Sequence, residues 1–191
     1  GLFKQRIIDG HQVELPDNWL ASGNIWEVKK PERAVYVRFG GHVRPDFVYG
    51  RMVFLHEGSD IVRAVPYDVP IVGYKNKVVN TLRLWESEAP TKDFDFSLFS
   101  RGEYAAAMKS KHDAEAISDF LYPDDSSPEG KKLRLKQQYF LVSAGLQSIL
   151  RHHKEKYGTL ENLHEKVAVQ INDTHPALCI PELMRILMDE E

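Results

Sequence analysis

A single cysteine, Cys179, stands in 191 residues, which excludes an internal disulfide and a thiolate-rich zinc site. Its apolar neighbours favour an inert buried thiol, and a reducing cytoplasm is the compartment such usage suits. No apolar run is long enough to cross a bilayer, and no charged-then-apolar signal segment opens the chain. Neither sign of charge dominates. Lys plus Arg is 25 against 28 for Asp plus Glu, a net charge of -3, so there is no general pull toward nucleic acid or an anionic membrane. Internal repeats and low-complexity tracts are also missing. What is present is 42% hydrophobic and 10% aromatic content, enough to bury one sizeable core or two small ones. The chain begins within structured-looking sequence, GLFKQRIIDG, and stops at MDEE while a helical pattern is still running, which suggests a piece of a longer protein.

Residues 1 to 31 are rich in turn signals and hold Trp19 and Trp26 without a sustained period, and read as mostly irregular. From Arg33 to about Glu86 the pattern is that of strands. AVYVRF alternates Val35, Val37 and Phe39 against Tyr36 and Arg38, and FVYGRMVFL, DIVRAVPY and VVNTLRLWE follow between Gly, Pro, Asp and Asn breaks. This predicts a meander of four strands. Ser100 and Glu103 have capping-box spacing ahead of EYAAAMKSKHDAEAISDFL, whose one or two helices are expected to end at Tyr122-Pro123. PDDSSPEG, Pro123 to Gly130, has the composition of an exposed loop. After it comes a long amphipathic helix with Leu135, Tyr139, Val142, Leu146 and Ile149 as its apolar stripe. It opens on Lys131, Lys132, Arg134 and Lys136, ordinarily a solvated face.

The stretch VAVQINDTHPALCIPELMRIL, Val167 to Leu187, reads as strand, loop and helix. Its apolar β-branched start suits a buried strand, and Leu183, Met184 and Leu187 recur at helical spacing after Pro181. Asn172, Asp173, Thr174 and His175 fall at the carboxyl end of that strand, where ligands collect in open α/β sheets. The alternative is that Asp173 and Thr174 cap free backbone N–H groups. Asn172-Asp173-Thr174 also matches a glycosylation sequon, a weak pattern at a strand end.

Taken in order, GLFKQRIIDGHQVELPDNWL, VVNTLRLW, FLYPDDSSPEGKKLRLKQQYF and VAVQINDTHPALCIPELMRIL resemble the α-1,4-glucan phosphorylases, the glycogen, starch and maltodextrin phosphorylase family. The resemblance covers essentially the whole chain. It implies an α/β fold, part of the N-terminal lobe of a glycosyltransferase-B type fold. A mostly antiparallel meander (33–86) would precede a mostly helical part (100–191) with a strand near 167–172. It also implies phosphorolysis: inorganic phosphate displaces the terminal glucosyl unit of an α-1,4-glucan, giving glucose 1-phosphate with retained configuration. The family's cofactor is pyridoxal phosphate, whose phosphate group is the proton-handling partner of the substrate phosphate. The cofactor lysine and the glycine-rich phosphate loop of the family match no part of this sequence. No catalytic, cofactor-binding or metal-binding residue is therefore assigned, and the chain alone is expected to be inactive.

By resemblance, Asp173 and His175 lie by the glucan subsites, where a carboxylate and an imidazole can hydrogen-bond sugar hydroxyls. Arg134 matches an arginine lining the cleft, useful where phosphate must be held. PDDSSPEG matches the loop that controls access to the cleft, with Tyr122 at its base. Asp125 occupies an acidic position there that could pair with Arg134 while the site is empty. Ser126, Ser127 and Pro128 depart from the asparagine and phenylalanines of the animal enzymes, which argues against their aromatic purine-binding stack. Arg151 matches the first of an arginine pair that binds effector phosphate in those enzymes, but the second is His152, which lacks the guanidinium fork. This makes AMP activation doubtful. The partners implied are an α-1,4-glucan, inorganic phosphate and a second subunit in a homodimer, with the helix from Gly102 to Phe120 as the contact. A non-catalytic glucan-binding or scaffold module is the alternative from another class. The complete reading frame separates the two.

Overall fold

The computed structural model describes residues 4–9, 11–15, 26–90, 102, 104–119 and 123–190. It is built of α and β elements, and every described strand pairing is antiparallel. The first departure from the sequence reading lies in its irregular opening. Strands β1 (Lys4–Ile8) and β2 (His11–Leu15) form a hairpin in register Ile8↔His11. Asp9, in the connection, takes a φ of 51°, and positive φ in such a loop matches the twist of the strands it joins. KQRII lacks apolar alternation and HQVEL alternates over only five residues, too short a run to stand out.

The central sheet is organised on one long strand. β7 (Asp60–Val72) pairs with β4 (Val35–Phe39) through its first residues and with the short β3 (Val28–Lys29) at Asp68 and Tyr67, while β8 (Val79–Glu88) runs along its other edge. The alternation in β4 does what it predicts: Val35, Val37 and Phe39 are buried, and Tyr36 and Arg38 face out. FVYGRMVFL is not one strand. It is the turn of a separate hairpin between β5 (His42–Val48) and β6 (Arg51–Glu57), because Tyr49 and Gly50 both take positive φ (51° and 81°). That is the tight reversal a two-residue hairpin requires.

Helix α1 (Tyr104–Asp119) packs on the sheet, and residues 120–122, where its predicted end falls, lie outside the described residues. Ser100 and Glu103 lie outside the described residues. Ser87 on β8 is buried and joined to α1: its hydroxyl donates to the Glu115 carbonyl at 3.1 Å and accepts from Ser118 N–H at 3.1 Å.

The long helix α2 (Pro128–Tyr157) starts and stops on local chemistry. Ser127 accepts a hydrogen bond from Gly130 N–H at 3.0 Å, Pro128 occupies the first turn, and Gly158 closes the helix in the left-handed region at φ 75°. It buries two faces rather than the single stripe expected. Phe140 and Ala144 join Val35, Val37, Phe39, Val62, Ala64, Ala114 and Ile117 beneath the sheet. Val142, Leu146 and Leu150 join Cys179 and Ile186 in a second core. Leu135 and Ile149 are left exposed.

A short helix α3 (Leu163–Lys166) leads to residues 167–172, which form no strand. Val167 has extended dihedrals (φ -123°, ψ 128°), but a strand exists only by laddering with a neighbour, and none of the described strands pairs with it. A 3-10 turn, His175–Leu178, then feeds α4 (Cys179–Glu190). Leu183 and Leu187 of α4 pack on the second core, whereas Met184 is exposed and Ile186 takes the buried position.

Candidate functional site

Two loops meet at the start of α2. In the first, the Asp124 carboxylate accepts hydrogen bonds from the Ser126 N–H and hydroxyl, both at 2.9 Å, an Asx-type turn. The same bonds hold its carboxyl below the usual carboxylate range. The Asp124 carbonyl oxygen lies over the first turn of α2 so closely that a Cβ at Gly130 would sit 1.7 Å from it. The glycine therefore admits the loop against the helix.

So pinned, the loop aims Asp125 at Arg134 one turn further along α2. Arg134 Nη1 donates to Asp125 Oδ2 at 3.1 Å. Its Nη2 lies 3.3 Å from Nε2 of His175, on the second loop. His175 Nδ1 in turn lies 3.5 Å from Asp173 Oδ2. A guanidinium cannot accept a hydrogen bond, so this contact assigns the lone pair to Nε2 and the proton to Nδ1, facing Asp173. The imidazole is thus held between a cation and an anion.

Asp173 is itself in the left-handed region, at φ 68°, and its Oδ1 accepts from Thr174 N–H at 2.5 Å. That bond, and then one from the Thr174 hydroxyl, lowers its carboxyl below the usual range. Thr174 makes no side-chain cap on the following turn. Asp173 holds the N–H of its neighbour Thr174 while leaving Oδ2 to His175. Arg134, Asp125, His175 and Asp173 remain between about a third and two-thirds exposed (36%, 55%, 50% and 62%), open to an incoming ligand. Tyr122 lies outside the described residues.

The two loops keep their spacing through a buried carboxylate behind them. Glu182 on α4 is 3% exposed and accepts from Ser143 Oγ at 2.6 Å and Tyr139 Oη at 3.0 Å on α2, and from Arg185 Nε and Nη2, each at 2.8 Å. Burial alone would raise its carboxyl, but hydrogen bonds from Arg185 and Ser143 and the Arg185 charge outweigh it and leave it lowered. This ties the helix that follows His175 to the helix that carries Arg134. Sequence reasoning missed Glu182, because a Glu and an Arg three apart on a helix normally form a solvated pair.

A family model, Carbohydrate phosphorylase, matches residues 1–191. The chain belongs to the carbohydrate phosphorylase family. It is 53% identical over 191 residues to a glycogen phosphorylase of Bacillus subtilis (strain 168), covering 100% of this chain and 23% of the relative. It is 50% identical over 192 residues to a glycogen phosphorylase of Synechocystis, where it covers 22% of the relative. To the brain form of human glycogen phosphorylase it is 47% identical over 204 residues, again covering 100% of this chain and 23% of the relative. This carbohydrate phosphorylase chain thus spans less than a quarter of the length of the curated relatives it matches.

Within this phosphorylase chain Arg151 is engaged by the main chain. Its Nη1 donates to the Arg33 carbonyl at 3.2 Å and its Nη2 to the Ala34 carbonyl at 3.0 Å. It fastens α2 to the entry of β4, and exposed His152 stands beside it. Among the described residues no group of three or more His, Cys, Asp or Glu could hold a metal ion, and no helix is long and apolar enough to cross a membrane.

Proposed function

We propose that the parent of this chain is an α-1,4-glucan phosphorylase that transfers the terminal glucosyl unit of glycogen, starch or maltodextrin to inorganic phosphate, releasing glucose 1-phosphate. The observation that carries this is the placement of Arg134 between Asp125 and His175. A guanidinium whose counter-ion is an exposed loop carboxylate is a phosphate site held by a removable stand-in, since both anions present oxygens to the same fork. Arrival of phosphate and withdrawal of Asp125 are then one exchange. His175 donates from Nδ1 or accepts at Nε2, and Asp173 accepts, so the pair can bind sugar hydroxyls next to the phosphate.

The resemblance implies pyridoxal phosphate in the parent. A Schiff-base lysine is activated by desolvation or neighbouring cations, whereas every lysine whose side chain is described is exposed or half-exposed. None of them fits. The two-lobed glycosyltransferase-B architecture, the homodimer and the cytoplasmic location rest on the resemblance alone.

The test is glucose 1-phosphate release from maltoheptaose and phosphate by the full-length parent. Release by the wild type with severe loss in Arg134→Ala supports the reading. A folded parent that binds glucan but releases no glucose 1-phosphate would make it a glucan-binding module instead.

A further inference from the structure

Helix α2 carries a second cationic group on the face turned away from Arg134. Lys132 and Lys136 are one turn apart, and each is two residues, about 200° of helix rotation, from the arginine. Both line a cavity of about 380 Å³ whose far wall is the end of β4 and the β5–β6 hairpin, with Arg38 and His56, and whose end is Arg185 of α4. Phe39, Leu135 and Tyr139 give it an apolar floor.

The cations around this cavity differ in availability. Arg185 is engaged by Glu182 and, through Nη1 at 2.6 Å, by Asp189. His56 Nε2 is engaged by the same Asp189 at 3.1 Å. Both of these cations are therefore already matched. Arg38, Lys132 and Lys136 have no carboxylate partner among the described residues, and Lys136 Nζ stands 5.4 Å from the centre of the Phe39 ring. Three unmatched positive charges beside an apolar floor form an anion site with a place for an organic body.

The geometry points to a phosphate ester site: the Arg38, Lys132 and Lys136 cavity binds a small phosphate ester, its dianionic head on the three cations and its apolar or aromatic body on Phe39, Leu135 and Tyr139. Charge decides for phosphate over carboxylate, because a single negative charge leaves two cations unmatched. Size decides for a small ester, because the cavity lies near the lower end of the roughly 300–1,000 Å³ found for ligand pockets. The site is separate from the Asp125–Arg134–His175 cluster and does not depend on what that cluster does.

Isothermal titration of phenyl phosphate into the full-length parent at fixed ionic strength tests this, with inorganic phosphate and phenol as single-component probes. Saturable binding is expected to persist in Arg134→Ala and to weaken roughly tenfold or more in the Lys132→Gln/Lys136→Gln double variant and in Arg38→Gln, since charge-assisted hydrogen bonds are lost. The Lys132→Arg/Lys136→Arg double variant, which keeps both charges, should retain binding. All these positions are on the surface or half-exposed, so the variants should fold. Undiminished binding in the double glutamine variant, or its disappearance in Arg134→Ala, would overturn the site. Equal affinity for inorganic phosphate and phenyl phosphate would overturn the part assigned to the apolar floor.

Discussion

Arg134 and His175, 41 residues apart in sequence, meet through Nη2 and Nε2 at 3.3 Å, a hydrogen bond in which the guanidinium can only donate and the imidazole nitrogen accepts. The cation therefore selects the tautomer, and Asp173 receives the proton on the other ring nitrogen. Nitrogen-15 NMR of the parent labelled in histidine should show His175 as the Nδ1–H tautomer at neutral pH. An Nε2–H signal would break the proposed relay. His175→Ala should leave the protein folded and weaken glucan phosphorolysis, each lost sugar hydrogen bond contributing about 0.5–1.5 kcal/mol.

Asp125 and Arg134 should behave oppositely when removed. Asp125→Ala frees the guanidinium and should lower the KM for phosphate. Arg134→Ala removes the cation and should reduce kcat by about 10²–10³, the scale seen when a charge-stabilising donor is deleted. Initial rates across phosphate concentrations in both variants and the double variant check this. The exposed pair itself contributes only about 0–1 kcal/mol to stability, so rates carry the information. If Asp125→Ala shifts the phosphate profile equally with and without Arg134, the two residues do not compete through it.

Gly130→Ala separates helix propensity from loop packing. Alanine would favour α2 by about 1 kcal/mol on propensity, yet its Cβ would fall 1.7 Å from the Asp124 carbonyl oxygen. Backbone must move, and overpacking of this kind costs about 1–3 kcal/mol, so a net loss of stability is expected together with an altered KM for phosphate. A variant more stable than wild type with an unchanged phosphate profile would show that the loop is not held by this contact.

Glu182 should dominate an acid-side loss of stability. Its carboxyl is lowered in the folded protein from the ordinary 4.5. Its contribution is therefore complete above that value and disappears as pH falls through the lower folded one. Denaturant midpoints measured from pH 7 downward should decline less steeply in Glu182→Gln than in wild type. At pH 7, Glu182→Ala should cost about 1–3 kcal/mol, because the Ser143 and Tyr139 hydroxyls lose their acceptor while Arg185 keeps Asp189. A surface-like loss below about 1 kcal/mol would deny the carboxylate its structural role.

Wherever neighbours in sequence suffice, the chain announces its own structure. Ser127, Pro128 and Gly158 end α2 by local chemistry, although PDDSSPEG read as loop through to Gly130 and the helix starts at Pro128; the alternation in β4 marks its buried face because a strand on a core has period two. The same locality explains the misreadings. Tyr49-Gly50 reverses the chain inside an apolar run, and Val167–Asn172 has strand composition without a partner to ladder with. Asp173 and His175 could be nominated from their place between an apolar run and a helix, and Asp125 and Arg134 by family resemblance, but nothing local relates residue 134 to residue 175. Their meeting was decided by the tertiary structure. Helix α2 buries one face under the sheet and another against α4, and Glu182 holds the two helices at the separation where a guanidinium reaches both a loop carboxylate and an imidazole. A carboxylate in a helix looks solvated until a second helix removes the water from it, which is why that decisive residue was not visible in one dimension.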